Sequence, residues 1–403
     1  MAETETRART QRDGRGLGIR LPFRIFGIPI ELHFTFLIFI PVLAWIISRQ
    51  LDFYASLFIL DLDINALETG VPSPFVLGLI AAIGLFVGVF LHELGHSWVA
   101  IRYGIQIRKI TLMILGGLAY MERMPREPRQ EAWVAIAGPI VSFALGGIGI
   151  AVLLAIPDAS PQAQFIVGYL GYTNLFLGLF NLIPAIPMDG GRVLRAFLAR
   201  SRPYADATRT AVAVSRSLAI LMGLFGLLQF NLFLMFIAFF IYAASGQEMQ
   251  QSELSQLLKD VRVKDLMVRQ VDTVPSDMPV SELFQLMLEK RHIGYPVVDR
   301  EDRLVGIITL RDLQQVDGAG TNRLVEEIMT PASEIVTIGE EECTIDALEK
   351  LTRNNLGRLV VINSIDEMVG ILSRTDLVRA LQILRLRGTL FQALGEKPGY
   401  GSG

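Results

Sequence analysis

Hydrophobic positions follow two patterns along this 403-residue chain. Up to about residue 245 they form long unbroken runs; beyond that they form short, strand-length stretches that alternate with amphipathic helical ones. Six runs approach the roughly 20 apolar residues a helix needs to cross a bilayer: 33–49, 75–101, 132–156, 164–186, 210–229 and 231–246. The last is short and follows the fifth almost without a loop. The pattern predicts a polytopic α-helical membrane domain of about six spans, followed by a soluble α/β domain. An average of 51% hydrophobic residues and a mean hydropathy of +0.44 agree with such a division.

Loop charges orient the spans. The loop after the first run carries Asp52, Asp61, Asp63 and Glu68 without Lys or Arg. The next carries Arg102, Arg108, Lys109, Arg123, Arg126 and Arg129; the third has only Asp158; the fourth has Arg192, Arg195, Arg200, Arg202 and Arg209. Basic loops stay cytoplasmic, which places the N-terminus, the second and fourth loops and the C-terminal domain there, in a multi-pass protein of the cell membrane. An even number of spans demands the same. The first 32 residues form a polar arm with Arg7, Arg9, Arg12, Arg15, Arg20 and Arg24. No small-residue cleavage site follows the first apolar run, so the arm does not read as a signal peptide. The net charge of -3 gives no case for a nucleic-acid partner. The single cysteine, Cys343, excludes an internal disulfide and a cysteine zinc site, and suits a reducing compartment.

Within the second run lies His92-Glu93-Leu94-Gly95-His96. Residues four apart share one helix face, so both imidazoles can reach one metal ion, and Glu93 beside them can take a proton from water there. Three ionisable groups within five residues at membrane depth are costly and point to function rather than packing. A catalytic zinc needs a third protein ligand. His33 opens the first run and His292 belongs to the soluble part as a surface or cleft residue, so a carboxylate is required. Asp189 is the candidate, in the stretch Asn181 to Arg192 that also holds Pro184, Pro187, Gly190 and Gly191. The prolines break the helix and free carbonyls at membrane depth; the two glycines let the chain turn sharply beside the metal. Asp189 and the histidine pair fall near the same end of runs that cross in the same direction, and zinc with two ionised carboxylates is formally neutral. The alternative for Asp189 is a cap at an ordinary helix end. Asn181 either donates to a developing oxyanion or satisfies freed carbonyls, and spacing alone does not separate the two. Asn174 reads as a helix-packing residue.

Residues 262–381 repeat with an offset of about 64. Lys264–Met267 matches Glu326–Met329, Ile293–Val298 matches Leu356–Val361, and Leu304–Asp312 matches Met368–Asp376.

Together these residues resemble the site-2 protease family of intramembrane zinc metalloproteases. The resemblance rests on Gly27–His33, His92–His96, Gly116-Gly117, Ala137-Gly138-Pro139 and Asn181–Arg192, and the repeat resembles a tandem CBS-domain pair. The branch it looks most like has six spans, paired CBS repeats and no PDZ insert. The resemblance implies one zinc ion per chain held by His92, His96 and Asp189, Glu93 as general base, and Asn181 as an active-site group that holds substrate or oxyanion. It implies substrates that are single-span membrane proteins, cut within the bilayer by zinc-activated water. In CBS pairs the carry-over assigns an adenine nucleotide to Thr309, Asp312, Ser373 and Asp376; the alternatives are plain helix capping by Asp312 or Asp376, or a pair that only forms a homodimer. The expected layout is an arm over 1–32, a protease domain over 33–246, a linker over 247–261, CBS repeats over 262–318 and 323–382, and a tail over 383–403 whose Gly-rich end is expected to be disordered. Ile110–Met121 is expected either to offer a strand edge to an unwound peptide or to be a re-entrant hairpin that shapes the cavity. A CBS-regulated transporter and an inactive membrane adaptor are the competing readings. Against the transporter, the polar residues of the membrane half form a zinc-type constellation and no inverted repeat is visible; an adaptor has no physical need for that constellation.

Overall fold

The computed structural model describes residues 18–57, 62–114, 116–121, 127–258, 261–314 and 323–393. The arm as far as Leu17, the loop residues Asp61, Arg123 and Arg126, the end of the first CBS repeat and the tail from 394 lie outside the described residues. The chain divides into two compact units, Met1–Gln250 and Gln251–Gly403.

The first unit opens with a hairpin, β1 (Gly18–Ile25) and β2 (Ile28–His33). It continues through α1 (Phe34–Ser48), α2 (Leu51–Leu57), α3 (Ile64–Thr69), α4 (Pro74–Arg102), a second hairpin of β3 (Ile107–Met113) and β4 (Gly116–Met121), then α5 (Pro128–Ala155), α6 (Pro161–Asn181), α7 (Asp189–Leu198), α8 (Tyr204–Leu228) and α9 (Leu232–Leu258). Helices α4, α5 and α6 each start on a proline, whose preset φ and missing N–H suit the first turn. His33 ends β2 and caps α1, its Nδ1 accepting the Thr35 N–H at 3.4 Å.

Among the described residues, five helices, α4, α5, α6, α8 and α9, are long and apolar enough to cross a membrane, and α1 with α2, bent by 77° at their junction, makes a sixth span if the two count as one. The sequence marks 231–246 as the weakest run, yet α9 is a 27-residue helix. It continues because Gly246–Leu258 is rich in Gln, Glu, Met and Leu, which are good helix formers although they are not all apolar. The 164–186 run is interrupted: α6 stops at Asn181, Pro184 and Pro187 keep 182–188 out of the helical ladder, and a new helix begins at Asp189. Between 17% and 33% of each span's apolar window is buried, leaving Ile220, Leu224, Phe225, Phe233, Phe236 and Phe239 exposed. Such a belt suits hydrocarbon as solvent.

The two hairpins form one sheet in the order β1-β2-β3-β4, with β2 and β3 parallel and the other neighbours antiparallel, so β1 and β4 are its edges. Ala44 and Ile47 of α1, Leu77 and Ala81 of α4, and Phe165 and Tyr169 of α6 make the main apolar core. A Cβ on Gly78 would overlap the Ala44 carbonyl, so glycine there sets the close approach of α4 to α1.

In the second unit each repeat builds a small mixed sheet. The first sheet combines β5 (Val274–Pro275), β6 (Gly294–Val298) and β7 (Leu304–Thr309) with β8 (Thr330–Pro331), which comes from the start of the second repeat; the second combines β9 (Thr337–Gly339), β10 (Arg358–Ile362) and β11 (Met368–Ser373). Short helices α10 (Val263–Leu266), α11 (Val280–Lys290), α12 (Leu310–Leu313) and α13 (Thr344–Arg353), with the longer α14 (Arg374–Ala393), complete it. Leu283, Met287, Val297 and Ile308 fill the first core, and Ala347, Leu351, Val361 and Leu372, each 64 residues on, fill the second. The sequence repeat is a repeat of core positions.

Candidate metal centre

His92 and His96 project from one face of α4, and Asp189 is the first residue of α7; all three are buried. His96 Nε2 lies 3.1 Å from His92 Nε2, and Asp189 Oδ2 lies 3.2 Å from each. They are the one group of three metal-type ligands found among the described residues. Ligands about 2.0 Å from a tetrahedral zinc stand about 3.3 Å from one another, so this triangle has the size of one face of a zinc tetrahedron.

The outer contacts fix what those atoms can do. His96 Nδ1 lies 2.7 Å from the Val134 carbonyl, which can only accept, so Nδ1 carries the proton and Nε2 of the neutral ring presents a lone pair. His92 Nδ1 pairs with Ser142 Oγ at 2.8 Å. Metal-bound histidines commonly engage their second nitrogen in this way. With a carboxylate oxygen as the third corner, the donor set fits a divalent cation. Both ring partners come from α5, and between them Gly138 makes room: a Cβ there would overlap His96 Nε2 and lie 2.7 Å from His92 Nε2.

Glu93, on the same turn as the histidines, lies within electrostatic reach of His92, His96, Asp189 and Arg192. Its side chain fills the space that a Cβ on Gly117 of β4 would take, with Cδ 3.3 Å from that position. Hence β4, an edge strand, runs directly beside Glu93.

Asn181 donates Nδ2 to the Leu177 carbonyl at 2.9 Å, one turn back in α6. Asn174 is a packing residue as expected: its side chain sits where a Cβ on Gly88 would be, and Nδ2 donates to Leu170 O at 2.8 Å. The glycines after Asp189 differ from expectation. Gly190 and Gly191 do not make a sharp turn; they lie inside α7, packed on the backbone of 182–186, where a Cβ on Gly191 would stand 2.5 Å from the Ala185 carbonyl carbon. Close approach is what requires them.

Sequence reasoning missed much of the support. Arg195 counts as a loop charge by its position but is 1% exposed. Its Nε donates to Glu131 Oε1 at 2.7 Å, and Nη1 pairs with Glu248. Tyr204 donates to the same Glu131 oxygen at 3.5 Å. The available signal was helical spacing: Glu131, Val134, Gly138 and Ser142 recur at i, i+3, i+7 and i+11, one face of α5, with two polar residues in an otherwise apolar run.

In the second unit, Thr309 caps α12, and Asp312 Oδ2 accepts from Thr309 N at 2.8 Å and Oγ1 at 2.7 Å. Ser373 and Asp376 repeat this, with bonds of 2.9 Å and 2.5 Å. All four residues are engaged in helix capping. His292 is a surface residue, 3.7 Å from Asp272.

Comparisons with known proteins agree with both halves. The model of Peptidase family M50 matches residues 80–163 and 156–224, and that of the CBS domain matches 263–317 and 325–383. The chain is 37% identical over 373 residues to the zinc metalloprotease MJ0392 of Methanocaldococcus jannaschii, covering 92% of this chain and 98% of the relative. The solved site-2 protease from Methanocaldococcus jannaschii is 38% identical over 58% of this chain and 95% of that one, with a TM-score of 0.40. The CBS protein CBSX2, solved in complex with AMP, is 26% identical over 31% of this chain and 98% of its own, with a TM-score of 0.28. Its similarity to the metalloprotease along nearly its whole length identifies the chain as a member of Peptidase family M50, a zinc metalloendopeptidase of the site-2 protease type with several apolar helices and a tandem pair of CBS domains.

Proposed function

We propose that the protein hydrolyses peptide bonds in transmembrane segments of membrane-bound substrates, and that its CBS repeats regulate this from the cytoplasm. The observation that carries the reading is the triangle of His92, His96 and Asp189, sized for zinc and placed among apolar helices. His92 and His96 would hold the ion from α4 and Asp189 would hold it from α7. When bound, zinc supplies a Lewis acid that polarises a carbonyl and acidifies water. Glu93 takes the proton from the attacking water and passes it to the leaving amide nitrogen. Asn181 anchors one N–H on Leu177 and offers the other to the substrate carbonyl. A transmembrane helix hides its carbonyls, so the segment must unwind. The open edge of β4, beside Glu93, can pair with it as an added strand.

Orientation rests on charge. Arg195 is buried in an ion pair, but Arg192, Arg200, Arg202 and Arg209 still make the fourth loop basic. With α1 and α2 counted as one span, six crossings return the chain to the side where it began. An adenine nucleotide is the proposed CBS ligand. The cap bonds of Asp312 and Asp376 all fall on Oδ2, which leaves Oδ1 for a ribose hydroxyl. Glu93→Gln decides the central claim. The variant should keep its zinc and lose cleavage of a reporter transmembrane substrate; cleavage at the wild-type rate would remove Glu93 as the base.

A further inference from the structure

We propose that Arg195 is a positioning residue for the metal centre: it clamps α7, the helix that begins with Asp189, onto the face of α5 that orients both histidines, and ties that clamp to α9 through Glu248. The proposal rests on the reading of Asp189 as a zinc ligand.

Asp189 follows a non-helical stretch, so the α6 ladder does not fix its place. Two things do. Gly190 and Gly191 sit on the backbone of 182–186, and Arg195, two turns further along α7, anchors its other end. Arg195 is the largest of the fully buried side chains. Its planar fork meets carboxylates on two different helices: Nε and Nη2 reach Glu131 of α5 at 2.7 and 2.5 Å, and Nη1 reaches Glu248 of α9. Tyr204 of α8 stacks beside it, 5.1 Å from the guanidinium carbon to the ring centre. Only arginine offers donors in this fixed two-sided geometry; a lysine is a point charge that can serve one partner well.

One face of α5 therefore carries an anchor for every ligand. Ser142 holds His92, the Val134 carbonyl holds His96, and Glu131, through Arg195, holds the helix of Asp189. Loss of an outer contact of this kind typically costs about 10- to 100-fold in metal affinity. Glu248 lies in α9, whose last turns run past Gln250 to Leu258, and its side chain is about a third exposed, against 3% for Glu131. A displacement of α9 thus acts on the exposed arm of the clamp first.

The test compares zinc retention by the full-length protein against a competing chelator. Removing Arg195 alone would bury an unpaired Glu131, so the informative variant is Glu131→Leu with Arg195→Met, which removes both charges. It should unfold near the wild-type temperature when metal-free, yet bind zinc about 10- to 100-fold more weakly. Glu248→Gln, which leaves the buried pair intact, should weaken zinc binding in the same direction by a smaller factor. Wild-type retention in the double variant overturns the clamp, and wild-type retention in Glu248→Gln overturns its link to α9. Asp189→Ala separates the two readings: if it too keeps zinc, the ligand assignment has failed; if it loses zinc while the double variant does not, only the clamp has failed.

Discussion

The two sources of the ligand triangle are held in opposite ways. His92 and His96 stand one turn apart on a continuous 29-residue helix, and the backbone ladder alone sets their spacing. Asp189 stands at the head of a ten-residue helix that follows an irregular, proline-broken stretch, and tertiary packing sets its place. The first arrangement is local and rigid; the second depends on glycine contacts and a buried ion pair. A site built this way has a fixed floor and one adjustable wall.

Losing the floor should have the largest effect. If the triangle holds zinc as proposed, His96→Ala removes one of its three corners, and both zinc occupancy and cleavage of a reporter should fall to background; metal analysis of the purified protein checks this. Gly138→Ala comes next. A methyl group there occupies the space of the imidazole nitrogens, so the floor itself must shift, at an overpacking cost of about 1–3 kcal/mol and with weakened zinc retention in a chelator competition. Ser142→Ala frees His92 to rotate while leaving both histidines in place, and apparent zinc affinity should drop about 10-fold. An unchanged affinity there would show that the helix ladder orients His92 without help. The smallest effect belongs to a position outside both parts. Burial raises the carboxyl of Glu31, but Lys109 at 2.7 Å and Arg20 at 3.1 Å outweigh it and hold the group below the usual carboxylate range. A depressed acid contributes stability above its unfolded pKa of about 4.3, and that contribution is lost as pH falls through the lower folded value. Glu31→Gln should therefore cost well under about 1 kcal/mol at pH 7, flatten the acid limb of thermal unfolding, and leave zinc binding as in the wild type.

The same contrast explains what could be read from the sequence. The histidine pair was legible because a helix converts a spacing of four into proximity. Asp189 was legible as a candidate because prolines and glycines mark a break in an apolar run, although the work of Gly190 and Gly191 was not. The CBS repeats were legible because apolar core positions recur at a nearly constant offset. Arg195 was not, because a basic residue between two spans looks like any loop charge until the fold brings Glu131 and Glu248 to it. Nor was the shape of the first span: composition shows that 33–49 is apolar, but not that its helix stops at Ser48 and turns.

That turn divides the first apolar stretch into two short helices. Helix α1 has 15 residues, which at about 1.5 Å each rise about 22 Å, against a hydrocarbon layer about 30 Å thick. Alone it falls short of that layer, so it makes a span only together with α2, which continues it at 77°. Phe36 and Phe39 of α1 pack on Phe86 of α4, two turns from His92, so this short helix lies along the flank of the helix that carries both histidines. A thicker or thinner membrane would therefore bear first on this flank of the histidine helix.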